Sequence, residues 1–343
     1  MKTENTRNNY IDFLRGLAII LMIFGHMIDY GLVLDVCVSE QKQVFQYIHN
    51  FIYSFHMPFF FTISGCAMAM RDNTIDSVQL LWLRIKRAIV SLYIPYLCFV
   101  ALYWIARFSA SRFLGCQLVD PLETNVNELA YLLIAGKSLS WFLLSLLLVR
   151  VVFDIVRYFG NSYWCFWVFV IIAGLNIVVS NRLIYYLSYG LFFSIGYIVS
   201  RNKIFVCTKS VLFGALTIAF LCLLGLGTVF LGRSEVFDLV IAVILSTIPV
   251  LIKPNLKENY ICEVGKKSMV FYISHGIVNG ICITILYSVL GMQYNLVLSI
   301  VGVLFQLIVI TVLLRIIENK HFYWISYLFY PQRSKLVKKY IIG

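Results

Sequence analysis

Long runs of hydrophobic residues, separated by short polar stretches, follow one another along the whole chain. A helix needs about 20 apolar residues to cross the hydrocarbon core of a bilayer, and an open, irregular backbone cannot face lipid. The pattern therefore predicts about ten transmembrane helices. Their approximate spans are 10–30, 47–70, 88–107, 138–157, 162–180, 183–200, 210–230, 235–252, 268–290 and 295–315.

The last two spans come from one charge-free run between Ser268 and Leu314. This run is too long for a single crossing, and its polar and glycine residues between Gly291 and Asn295 are the natural place to divide it. Nine or eleven spans remain possible alternatives to ten.

The composition supports a membrane protein. Of 343 residues, 61% are hydrophobic and 13% are charged, whereas soluble domains average about 45–50% and about 25%. The predicted fold class is therefore an all-α, polytopic integral membrane helix bundle. We assign residues 1–343 to a single transmembrane domain, in which 319–343 forms a basic, interfacial C-terminal tail.

The net charge of +12 comes from short clusters of lysine and arginine between the apolar runs, not from one basic patch. This distribution argues against nucleic-acid binding and for orientation in the membrane. Ten spans with an internal N-terminus leave few basic residues outside, which predicts that both termini are cytosolic. The residues left outside are Lys42, Arg107, Arg112, Lys137, Arg182 and Arg233.

The nine cysteines include no C-x-x-C pair, and most lie inside apolar runs. They are best interpreted as small buried hydrophobic residues, so we predict no metal site. Arg150 and Asp154 are four positions apart, and we expect them to neutralise each other on one helix face. His49 and His321 match no motif and are expected at the surface or the interface.

The first helix carries four ionisable residues, Asp12, Arg15, His26 and Asp29. Ionisable residues inside a bilayer are costly and therefore suggest function. Arg15 and His26 are eleven positions apart, so they share a helix face about 16 Å apart. This places a cation near the cytosolic end and a titratable base deeper in the membrane.

Histidine titrates near neutral pH and can act as a general base. Asp29 lies three residues beyond His26 and could orient its imidazole, as the acid does in a catalytic triad. The alternative interpretation of these three residues is structural: a snorkelling Arg15, a packed His26 and an interfacial Asp29. Spacing alone does not separate the two.

The first helix resembles the R-x10-H helix of the acyltransferase-3 family of membrane O-acyltransferases, through the residues Asp12-Phe-Leu-Arg15-Gly-Leu-Ala-Ile-Ile-Leu-Met-Ile-Phe-Gly-His26. The second helix is similar to the next motif of that family, especially in its fucose 4-O-acetylase-like branch, through Phe55-His56-Met57-Pro58-Phe59-Phe60-Phe61-Thr62-Ile63-Ser64-Gly65.

Three later segments resemble further motifs of the family in the expected order. They are the basic connection with Arg71 and Arg84-Ile-Lys86-Arg87 followed by Tyr93-Ile-Pro95-Tyr96, the segment Ser140-Trp141-Phe142-Leu143, and Gly265-Lys-Lys-Ser268-Met-Val-Phe-Tyr272-Ile-Ser-His275. Five motifs in series cover nearly the whole chain.

The resemblance implies an acyl-CoA-dependent O-acyltransferase that moves an acetyl group from cytosolic acetyl-CoA to a hydroxyl of a membrane-linked or cell-surface sugar. We expect His26, Arg15 and Asp29 to be catalytic, with His26 as the base; a covalent acyl-histidine relay is the alternative mechanism. Four basic residues would bind the coenzyme A phosphates, because guanidinium and ammonium groups pair well with phosphate: Arg71, Arg84, Lys86 and Arg87. Their alternative role is orientation in the membrane.

The resemblance also implies that four residues line the cavity or position the acceptor: His56, Trp141, Tyr272 and His275. The expected location is a bacterial cytoplasmic membrane. Neither the acceptor sugar nor the oligomeric state follows from the sequence.

Other functions remain open. Ten helices with intramembrane charges would also suit a transporter or flippase of a sugar, lipid or acyl donor, although the inverted repeat common in transporters is not evident. A non-catalytic scaffold is a third possibility, but such a protein would have no chemical need for Arg15, His26 and His275.

Overall fold

The structure is a computed structural model, and the part of the chain that it describes is entirely helical apart from loops and isolated bridges. The described residues are 8–33, 37–71, 74–114, 141–204, 235–252, 254, 256–283, 285–286, 291–292, 294–319, 325–331 and 334. The predicted span 210–230 and most of the predicted tail 319–343 lie outside these ranges.

Thirteen α-helices make up the described fold. They are α1 (Asn9–Val33), α2 (Lys42–Ala69), α3 (Val78–Ala88), α4 (Ile94–Leu114), α5 (Trp141–Phe159), α6 (Ser162–Val178), α7 (Arg182–Ser188), α8 (Gly190–Arg201), α9 (Glu235–Leu251), α10 (Tyr260–Lys266), α11 (Ser268–Ile283), α12 (Leu296–Glu318) and α13 (Ser326–Phe329). A π-helical turn, Ile89–Tyr93, joins α3 to α4.

Five helical segments of the described chain are long and apolar enough to cross a membrane: Asn9–Val33, Ser39–Ala69, Val78–Ile105, Arg182–Arg201 and Leu296–Glu318. Three shorter apolar helices accompany them, at Ser162–Val178, Leu239–Leu251 and Ser268–Ile283. The all-α membrane bundle is confirmed, whereas the count of ten spans and the cytosolic termini stay predictions.

Short polar side chains mark where several helices begin. The side chains of Ser77, Asn161, Asn181, Asn259 and Asn295 each accept a hydrogen bond from a backbone N–H in the first turn of the helix that follows. These bonds satisfy donors that the helix itself leaves unpaired. The cap at Asn295 confirms the division of the last charge-free run.

Helices α2 and α8 pack backbone to backbone. A Cβ atom at Gly65 would collide with the carbonyl oxygen of Phe193, and one at Gly196 would collide with the carbonyl oxygen of Thr62. Small residues permit such close approach between membrane helices, where dispersion contacts replace the hydrophobic effect. The contact fixes α2, which carries several candidate site residues, against α8.

Helix α1 packs equally closely against α10. A Cβ atom at Gly16 would collide with the carbonyl oxygen of Ile261, and one at Gly265 with the carbonyl oxygen of Asp12. Gly16 follows Arg15 directly in the sequence, so this contact fixes the position of Arg15 relative to α10. Since α10 leads directly into α11, it also sets α11 beside α1.

Candidate active site

Two histidines from distant parts of the sequence stack in the bundle interior. The rings of His26 on α1 and His275 on α11 lie 5.1 Å apart at an interplanar angle of 24°. His26 is partly accessible, whereas His275 is 2% exposed. The first and last predicted motifs therefore meet at one point, as a shared site requires.

Tyr53 on α2 fixes the orientation of His26. Its hydroxyl lies 3.0 Å from His26 Nδ1, and no residue in the described ranges hydrogen-bonds the other ring nitrogen, Nε2. A bond at Nδ1 sets which nitrogen of an imidazole carries its proton. If Nδ1 donates to Tyr53, then Nε2 is left with a lone pair that can accept a proton.

From its spacing, Asp29 was expected to orient His26, but the structure shows no direct contact between the two residues. Its carboxylate lies 3.2 Å from Nε2 of His49 on α2, and the His49 ring stacks on Tyr53 with centroids 4.0 Å apart. The Tyr53 hydroxyl is itself close to Asp29. The acid thus reaches His26 through Tyr53. His49, which was expected at the surface or the interface, joins His26, Tyr53 and His275 in a group that we call the histidine cluster.

His56 and Tyr272 line the inner side of this cluster. His56 is 4% exposed and its Nδ1 lies 2.9 Å from the carbonyl oxygen of Ile52, so its proton is held by its own helix. The ring of His56 is 4.8 Å from that of Tyr53, and Tyr272 is 5.8 Å from His275. Both side chains therefore contact members of the histidine cluster.

Five arginines line one cavity of about 300 Å³, which we call the arginine cavity. They come from α1, the turn after α2, α3 and α5, and are Arg15, Arg71, Arg84, Arg87 and Arg150. Two of them have acidic partners, since Arg15 lies 3.8 Å from Asp12 and Arg84 lies 2.9 Å from Asp154, and the remaining positive charge attracts an anion. Guanidinium groups are well suited to phosphate.

Arg84 and Arg87 lie one turn apart on α3 and both face the arginine cavity. Lys86, which the sequence analysis grouped with them, lies elsewhere, with its ammonium 5.7 Å from the centre of the Trp82 ring. Helical periodicity explains the difference, because a step of two residues turns a side chain to the far side of a helix.

Arg150 and Asp154 attract each other as expected, but the hydrogen bond to Asp154 comes from another helix. Asp154 is 1% exposed and accepts a 2.9 Å hydrogen bond from Arg84 on α3. Within the described ranges, the buried Nε of Arg150 has no hydrogen-bond partner. Arg150 thus retains a donor for a ligand in the arginine cavity.

A chain of aromatic contacts runs from the histidine cluster across the bundle. Tyr272 contacts Phe142 at 5.4 Å, Phe142 contacts Phe61 at 5.0 Å, and Phe61 stacks on Tyr189 at 4.9 Å. Trp141 packs against the far end of this chain, 5.5 Å from Tyr189. Trp141 therefore supports an aromatic wall and does not contact the histidines.

A family model described as an acyltransferase domain, Acyl_transf_3, matches residues 8–329. The chain belongs to the acyltransferase-3 family. This membership, together with the apolar helices, makes it a multi-pass membrane acyltransferase. No curated protein and no solved structure matches the chain.

In this acyltransferase, sequence reasoning missed three residues of the site. Tyr53 and His49 lie on α2 one turn apart and just before the second motif, so their helical spacing from His56 could have indicated them. Arg150 was treated only as the partner of Asp154. No local signal marks its role, because the cavity forms between helices that are far apart in sequence.

Proposed function

We propose that the protein is a membrane O-acetyltransferase that moves an acetyl group from acetyl-CoA to a hydroxyl of a membrane-linked or cell-surface sugar. Membership of the family supports acyl transfer, and the positive charge of the arginine cavity supports binding of the phosphates of a coenzyme A donor there. The observation that carries the proposal is that α1 joins the two parts, since Arg15 lines the arginine cavity and His26 lies in the histidine cluster.

The proposed reaction uses His26 Nε2 as the base. As the sugar oxygen attacks the thioester carbonyl carbon, Nε2 takes the hydroxyl proton and the new C–O bond forms. The tetrahedral intermediate then collapses, the C–S bond breaks, and the thiolate of coenzyme A recovers the proton from His26. Tyr53 and Asp29 stabilise the positive charge that His26 carries between these two steps.

The donor is expected to enter at the end of the bundle where the arginines cluster. The positive-inside tendency would make this end cytosolic, where acetyl-CoA is found. The thioester would then extend along α1 from Arg15 toward His26, a distance of about 16 Å by helical rise. Arg15 would hold donor phosphate at the start of this path.

The decisive experiment measures release of free coenzyme A thiol by the purified protein in lipid vesicles, with acetyl-CoA and a panel of saccharides. Release that requires a saccharide and disappears in His26→Ala supports the proposal. Movement of a saccharide across the vesicle membrane without thiol release would instead establish transport and overturn it.

Two neighbouring basic residues give a matched test of the donor site. Arg87→Ala removes a guanidinium from the arginine cavity, whereas Lys86→Ala removes a charge from the same helix outside it. A charged hydrogen bond is worth about 1.5–3 kcal/mol, so Arg87→Ala should raise the KM for acetyl-CoA about tenfold or more. Equal effects of the two substitutions would show that the cavity does not bind the donor.

A further inference from the structure

A second and larger cavity, of about 1120 Å³, opens on another side of α2. We call it the tyrosine cavity, and its principal lining residues are Ser54, Pro58, Asn176, Asn181, Tyr185 and Tyr189. Ligand sites combine apolar and aromatic walls with a few convergent polar groups, and this volume exceeds the usual range of about 300–1,000 Å³. The cavity has room for more than one sugar ring.

Pro58 removes one helical hydrogen bond beside the cavity. Pro58 has no N–H, so it cannot form the helical hydrogen bond to the carbonyl oxygen of Ser54, four residues earlier. Both residues line the tyrosine cavity. Within a membrane, such interruptions of helical bonding are tolerated where the backbone lines a polar cavity or is satisfied by a neighbour. A ligand hydroxyl is suited to donate to this carbonyl.

Two tyrosines of the cavity wall contact each other and a tryptophan. The hydroxyls of Tyr185 and Tyr189 lie 2.8 Å apart and form one hydrogen bond, which leaves further capacity on their oxygens for a ligand. Trp141 packs behind both tyrosines, with ring centroids 5.9 Å and 5.5 Å away. A tyrosine combines an apolar ring with a polar hydroxyl, and a sugar combines C–H faces with hydroxyl groups. The two therefore suit each other.

The tyrosine cavity and the arginine cavity lie against different faces of α8. Phe192 lines the tyrosine cavity, and the next residue, Phe193, lines the arginine cavity. On α2, Ser54 lies beside Tyr53, the residue bonded to His26. A ligand in the tyrosine cavity is therefore next to the helix that orients the proposed base.

We propose that the tyrosine cavity binds the saccharide that accepts the acyl group. This inference rests on the proposed function and adds to it the acceptor's location and route, which are separate from those of the donor. A free glycan and a lipid-linked sugar present the same hydroxyl chemistry to this cavity. The two sources are distinguished by the test.

Two tryptophan substitutions on α6 test the site. Asn176→Trp places an indole in the cavity. Gly174→Trp is the control: Gly174 lies two residues earlier, does not line the cavity, and a Cβ atom added there would contact nothing within 4 Å. We would measure KM for acetyl-CoA and for the saccharide separately by thiol release in vesicles. The saccharides are methyl glycosides in solution and glycolipids carrying the same sugars, which separates free from lipid-linked acceptors.

Asn176→Trp should raise the KM for the saccharide at least tenfold and leave the KM for acetyl-CoA within about twofold, with Gly174→Trp resembling wild type. Asn176→Leu, which removes only the polar group, guards against a folding defect and should raise the same KM severalfold. If both Asn176 variants keep the wild-type KM for the saccharide, the tyrosine cavity is not the acceptor site, although the proposed function stands. If wild-type protein releases no thiol with any saccharide, the proposed function itself fails.

Discussion

Replacing Tyr53 by phenylalanine removes one oxygen atom and tests how the acid of the site communicates with the base. The hydroxyl of Tyr53 lies 3.0 Å from His26 Nδ1. Phenylalanine keeps the stacking on His49 at 4.0 Å and the edge contact with His26 at 5.9 Å. The change therefore removes a hydrogen bond without creating a large void.

The magnitude follows from the charge that His26 acquires in the transition state. A hydrogen bond to a charged group contributes about 1.5–3 kcal/mol, and about 1.4 kcal/mol changes a rate tenfold. Tyr53→Phe should therefore lower kcat about 10- to 150-fold. KM for both substrates should change little, because the hydroxyl contacts neither cavity. Thiol release at saturating acetyl-CoA and saccharide measures the effect.

Tyr47→Phe is the matched control. Tyr47 lies on the same helix and its hydroxyl accepts a 2.7 Å hydrogen bond from Gln43 at the surface. Surface substitutions usually change free energies by less than about 0.5 kcal/mol, so this variant should turn over within about twofold of wild type. If Tyr53→Phe is as active as Tyr47→Phe, the connection from Asp29 through Tyr53 to His26 plays no part in catalysis.

Three further substitutions test the donor site and the packing. Arg150→Met should raise the KM for acetyl-CoA about tenfold. The control is Arg157→Met on the same helix, which should leave this KM unchanged because Arg157 lies over the Tyr197 ring and not in the arginine cavity. Thiol-release titrations with acetyl-CoA compare the two variants. Asp154→Asn removes the carboxylate from a largely buried ion pair, a loss of about 3–5 kcal/mol, and should lower the melting temperature in detergent. Gly196→Ala should also lower it, by overpacking that costs about 1–3 kcal/mol, and an unchanged value would contradict the close contact with Thr62.

The first helix shows how much could be predicted from sequence. The eleven-residue spacing from Arg15 to His26 predicts one shared face, and the structure places these residues in the arginine cavity and the histidine cluster. Helical geometry fixes the relation between residues on the same helix. For the same reason, the separation of Lys86 from Arg84 and Arg87 could have been predicted.

Contacts between helices could not be predicted in this way. Asp29 has the spacing of a partner for His26, but its partner is His49 on α2. Asp154 has the spacing of a partner for Arg150, but its hydrogen bond comes from Arg84 on α3. The rotation of each helix against its neighbours decides these contacts, and it depends on packing that no single helix encodes.

The backbone contact between α2 and α8 has a consequence for the permeability of the membrane. Where Gly65 and Gly196 face the backbone of the neighbouring helix, no space remains even for a methyl group, so no water path runs between the helices at these positions. An acyl group delivered by the proposed reaction would therefore pass beside a helix contact that is closed to ions at these positions.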